Sequence, residues 1–158
     1  MVSGGLGESG DQFHMHRLCK DTGENASIDA TVTNAVFIAP LACEIIDISM
    51  ENGSTIAAAA ANHWTITIVN QTGDASLISD NFDTDSDNSG NGGRSFTADT
   101  ITSLNDNGSG NNYLQNAILA KGDLIRITVT KAASATAIVY PMIVVRYRIW
   151  VFTLKQIW

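Results

Sequence analysis

Three stretches of the chain gather side chains able to do chemistry. The first is the acidic run 80–93, in which Asp83, Asp85 and Asp87 alternate and are followed by Asn88 and Gly90. Oxygen ligands at every second residue are how a calcium loop begins, since the ion wraps itself in carboxylate and carbonyl oxygens. The pattern then departs from that template. Asn88 stands where the sharp-turn glycine belongs, and Arg94 stands where a bidentate Glu would close the shell. Asp83, Asp85 and Asp87 are therefore candidate calcium ligands in a run whose favoured reading is a solvated surface loop. The second stretch is His14-Met15-His16 with Cys19. A structural zinc site wants four ligands in paired spacing, and no second pair follows, so an ordinary polar segment is favoured there. Clustering of copies around a trimer axis is the arrangement that would complete such a site. The third is His63 beside Trp64, which reads as a strand-end histidine rather than a general base. No G-x-S-x-G, HExxH or phosphate-cradling P-loop is present. Paired carboxylates occur only in the acidic run, with nothing to hold them at a working distance. The expectation is a protein that is not an enzyme and carries no cofactor.

The elements around these residues are short and β-rich. Val32, Val36 and Ile38 share one face of a first strand, opposite Thr31, Thr33 and Phe37, and Pro40 then breaks the ladder. Ile46, Ile48 and Met50 alternate with Asp47 and Ser49, and Asn52-Gly53 marks a turn. The run Ala57 to Ala61 fits one helical turn but has no cap or apolar stripe to extend it. Trp64, Ile66 and Ile68 then alternate with Thr65, Thr67 and Val69. Phe96 to Leu104 alternates weakly and fits a further strand. Leu119-Ala120-Lys121-Gly122-Asp123 reads as a hairpin turn into Ile125, Ile127 and Val129. From Ala137 a long strand is expected, with Val139, Ile143, Val145, Tyr147 and Ile149 on its core face. Six to eight such strands, with turns between them and no convincing helix, predict two packed antiparallel sheets in an all-β sandwich. Residues 1–25 have no sustained period and read as an N-terminal arm, residues 26–149 as the β-sandwich domain and residues 150–158 as an apolar tail.

Composition narrows the function. The 158 residues suit one domain able to bury roughly 68–70% of its unfolded surface without disulfides or metal. Nine Lys+Arg against 16 Asp+Glu leave a net charge of -7, and the first 25 residues hold only Arg17 and Lys20 as cations. Nucleic-acid binding needs clustered cations, so no genome contact is expected. Cys19 and Cys43 belong to no CxxC pair; two free thiols are favoured, and a bond between them stays open. The start lacks the basic and apolar regions of a signal peptide, and Arg146 and Arg148 interrupt the most apolar stretch, so no membrane span is expected. The tail holds Trp150, Phe152 and Trp158, which either complete the domain's own sheet or form an intersubunit contact.

The segments Asn34-Ala35-Val36-Phe37-Ile38-Ala39-Pro40, Cys43-Glu44-Ile45-Ile46 and Leu119 through Val129 resemble small jelly-roll proteins of tailed-bacteriophage heads. These are the capsid decoration, or cement, proteins. The resemblance covers about residues 28–149. It implies a structural virion protein, assembled in the host cytoplasm, that binds the outer capsid surface. Such proteins clamp neighbouring subunits of the major capsid protein, often as a homotrimer. On that reading Trp150, Phe152 and Trp158 are interface residues. The alternative of the same fold is a head-fibre or tail adhesin module that binds a host receptor through the loops at 80–93 and 105–112. A single-jelly-roll shell protein is disfavoured by the missing basic arm. A secreted carbohydrate-binding module is disfavoured by the missing signal peptide and the few aromatics in the loops.

Overall fold

The computed structural model describes residues 10–18, 27–79, 81–86, 93–105 and 114–149. Among these residues there is no helix. The strands in chain order are β1 (Gln12–Arg17), β2 (Ser27–Ile28), β3 (Val32–Ile38), β4 (Cys43–Asn52), β5 (Trp64–Asn70), β6 (Ala75–Ser76), β7 (Phe82–Asp83), β8 (Thr100–Ser103), β9 (Ile118–Leu119), β10 (Leu124–Lys131), β11 (Ile138–Val139) and β12 (Met142–Ile149). The all-β sandwich expected from the alternation is what forms.

Local pattern explains the central strands. In β5, Trp64, Ile66 and Ile68 are fully buried while the threonines between them sit at the surface boundary. In β10, Ile125, Ile127 and Val129 do the same. Branched side chains at period two suit a half-buried pleated surface, and each such residue removed from water contributes roughly 1.5–3 kcal/mol. The Trp64 indole reaches solvent-side polarity through its Nε1, which donates to the Thr136 carbonyl at 2.8 Å.

The strands fall into two main antiparallel sheets and a small ribbon. One sheet runs β1-β12-β4-β8, with β9 also on β4; the second runs β3-β10-β5-β6, with β7 also on β5; β11 pairs with β2. Grouping β6 with β7 and β8 with β9 exposes the connectivity. The first strand pairs with the last (β1–β12), β3 with β10, β4 with β8 and β9, and β5 with β6 and β7. This nested pairing is a long hairpin rolled into two packed layers, a jelly-roll-like sandwich. The inner faces share one core, and the Phe37 and Tyr147 rings meet across the layers at 4.9 Å.

Several expectations need correction. Within the segment read as an arm, Gln12–Arg17 form a strand that pairs residue for residue with β12. A peripheral strand can look aperiodic because its partner, more than a hundred residues away, supplies the order. In β3 the register with β10 slips between Ile125 and Arg126, so that Phe37 and Ala35 are paired and Val36 is the extra residue. That bulge turns both Val36 and Phe37 inward and leaves Ile38 65% exposed, opposite to the expected alternation. In β4 the slip opposite Arg146 and Tyr147 makes Ile46 the extra residue, so Ile45 rather than Ile46 joins Ile48 and Met50 in the core.

The strand expected from Ala137 is divided. Tyr140 has φ +50° before Pro141, which ends β11 and starts β12 on a new line, and it is Ile138, not Val139, that is buried. Ala57 to Ala61 form no helical turn. Within Phe96 to Leu104 only Thr100–Ser103 make a strand, while Phe96 forms a lone bridge to Ile56. The turn at Lys121-Gly122 is a corner between sheets rather than a hairpin, because β9 lies on β4 and β10 lies between β3 and β5. Gly122 has φ +90°, a conformation that favours glycine, and its N–H donates to the Ala39 carbonyl at 2.8 Å. Asp123 fastens the same corner, its Oδ2 accepting from the Ala120 N–H and from Asn70 Nδ2, each at 3.0 Å.

Candidate functional site

Two places combine function-bearing side chains with a fixed backbone. The first is the β1 edge. Among the described residues β1 is the outer strand of its sheet and is bonded to β12 on one side. Alternation along it sends Phe13 and Met15 to the outer face, where they are 66% and 67% exposed, and His14 and His16 to the inner face over β3. His14 packs edge-on against Phe37 with ring centroids 5.5 Å apart. Burial, and secondarily the neighbouring His14, lower the pKa of His16. His14, His16, Phe37, Ile38 and Leu124 line an apolar cleft of about 270 Å³ between the two sheet edges. Ion pairs tie the start of the strand down: Arg148 donates through Nε and Nη2 to Asp11 Oδ1 at 3.2 and 3.1 Å. At the other end the Leu18 N–H donates to the Pro141 carbonyl at 3.0 Å, and the Leu18 side chain is buried. The edge is thus a firmly seated strand that shows two large apolar side chains to solvent.

The second place is the start of β5, beside the end of β7. His63 precedes that strand, and Asp83 and Asp85 flank Thr84 at the end of β7. Antiparallel pairing of Thr65 with Asp83 and Ile66 with Phe82 brings the two segments side by side. One potential ligand atom from each of His63, Asp83 and Asp85 lies within 4.8 Å of the others, and all three residues are half-buried. His63 Nδ1 stands 3.7 Å from Asp85 Oδ2 and 3.1 Å from the Ala60 carbonyl oxygen.

The expected calcium ligands are therefore divided: Asp83 and Asp85 are brought together, and Asp87 lies outside the described residues. His63, read from the sequence as a strand-end histidine, does stand at a strand end, but facing both carboxylates. No local spacing could announce this, because twenty residues and a turn separate it from Asp83. His14 and His16 share one face of β1, while Cys19 lies outside the described residues. Among the described residues they form no group with a third metal-ligating side chain. Trp150, Phe152 and Trp158 also lie outside the described residues. Cys43 carries a free, buried thiol. Among the described residues no helix is long and apolar enough to cross a membrane.

Fold and site together define, over the described residues, an antiparallel two-sheet β protein whose β1 edge exposes Phe13 and Met15. No protein-family model and no curated protein matches the chain.

Proposed function

We propose that this protein is a structural virion component that binds the outer surface of an assembled phage capsid and clamps neighbouring major capsid subunits, as a homotrimer. The observation that carries the reading is the β1 edge, whose Phe13 and Met15 are about two-thirds exposed on a strand that, among the described residues, pairs on one side alone. Apolar side chains on an open edge are a liability for a solitary protein and an asset for one that docks on another. The nested sandwich supplies a rigid body for such docking, and the net charge of -7 keeps free copies apart before assembly. Many weak contacts on a repeating lattice gain strength when the copies of one trimer bind together. The resemblance of residues 28–149 to capsid decoration proteins points the same way. Trp150, Phe152 and Trp158 are assigned to the intersubunit or capsid contact on this reading.

The test is the copy number of the protein relative to the major head protein in purified, then disrupted, particles. Decoration predicts an abundant protein that stays with the heads at a simple stoichiometric ratio. Recovery at a few copies with tails or fibres would favour an adhesin module instead, and absence from particles would end the virion reading.

A further inference from the structure

We propose that His63, Asp83 and Asp85 form a binding site for a divalent transition-metal ion of the zinc type, independent of any role at a capsid. Three features of the site converge on it. The donor set is one imidazole nitrogen and two carboxylates, which suits zinc and its borderline neighbours, whereas calcium takes oxygen and leaves imidazole aside. The potential ligand atoms lie within 4.8 Å of one another, and a tetrahedral zinc centre needs about 3.4 Å between its ligands. Side-chain rotation closes that difference, and water completes the coordination.

The backbone beneath the three residues is held in place from both sides. Thr84, fully buried between the two aspartates, accepts the Trp64 N–H on its Oγ1 at 2.8 Å, and its own N–H donates to the Trp64 carbonyl at 3.0 Å. The His63 carbonyl accepts from Ala132 N–H at 3.0 Å, and the Asp83 carbonyl accepts from Arg94 N–H at 2.9 Å. His63 Nδ1, 3.7 Å from Asp85 Oδ2, is also 3.1 Å from the Ala60 carbonyl oxygen, so binding an ion through Nδ1 exchanges that contact for the metal. A site seated on strand ends in this way costs little to organise when the ion arrives.

The experiment uses the full chain, stripped with a chelator and titrated separately with zinc and with calcium. Calorimetry gives the stoichiometry, and long-range 1H–15N spectra follow the three histidine rings. The expected result is one zinc per chain, a shift of the His63 ring resonances, and no saturable calcium binding. His63→Gln and Asp85→Asn each weaken zinc by about tenfold or more while the far-UV spectrum stays that of the parent. Zinc at about a hundredfold excess over its Kd raises the melting temperature of the parent by about 5–10 °C. The ring spectra require no variant, so a poorly folding substitution leaves the question decidable. The proposal is overturned if zinc shifts the rings of His14 and His16 and not that of His63, if no zinc binds, or if calcium binds the more tightly. None of these results bears on the capsid reading, which stands or falls on particle stoichiometry.

Discussion

Cys43 begins β4 and is fully buried against Leu119 of β9. Burial first, and the negative charge of Asp123 second, push its thiol up from the ordinary 9.0 to about 11. The fold thus favours the protonated thiol. That stabilisation is complete below about pH 9 and is lost as pH rises to about 11, because the unfolded chain ionises first. With Cys19→Ser leaving a single thiol, alkylation at about pH 8 should be slow in the native protein and fast in denaturant. Melting temperature should fall between about pH 9 and pH 11, and fall less steeply in Cys43→Ala. Alkylation of the native thiol at the rate of a free one would show that the start of β4 opens readily. At the same scale, Asn105 Oδ1 accepts from the buried Ile48 N–H at 2.7 Å, and Asp47 accepts the hydroxyls of Ser49 and Ser103.

Strands in this molecule deviate from ideal alternation where a partner forces them to. The slip opposite Arg146 and Tyr147 puts Ile45 in the core and makes Ile46 the unpaired extra residue. Two adjacent isoleucines of equal hydrophobicity therefore carry unequal weight. Ile45→Ala should lower the unfolding free energy by about 2–5 kcal/mol, the usual range for a buried isoleucine. Ile46→Ala should cost less than about 1 kcal/mol. Denaturant midpoints at constant slope measure both, and equal losses would refute the bulge assignment. The β3 bulge has the same origin. Phe37 turns inward to meet Tyr147 and His14, at the expense of leaving Ile38 in solvent.

At the scale of the whole molecule, the nested pairing of the described strands is complete between Gln12 and Ile149. β12 ends at Ile149 and is flanked on both sides, by β1 and by β4. A chain ending at Ile149 should keep an antiparallel β spectrum and a cooperative transition. If Trp150, Phe152 and Trp158 make the contact assigned to them, the same chain should lose trimerisation or capsid binding. A truncated protein that fails to fold would instead place the tail in the core. The topology also has a kinetic cost: the outermost pair joins Gln12 to Tyr147, so most stabilising contacts are non-local and folding is expected to be slow for the chain's size.

The fold class was legible in Trp64–Asn70 and Leu124–Lys131, because a central strand writes its two faces into its own residues as an alternation of isoleucine with threonine. The acidic pair Asp83 and Asp85 and the corner glycine Gly122 were visible for the same reason: their chemistry is local. β1 was not legible, since an outer strand draws its order from a distant partner and has no buried stripe of its own. Nor were the bulges at Val36 and Ile46, which arise from registers set across strands rather than along them. His63 joined the two aspartates only through the pairing of β5 with β7. Proximity of that kind comes from long-range hydrogen bonding and burial, and no spacing within one segment encodes it.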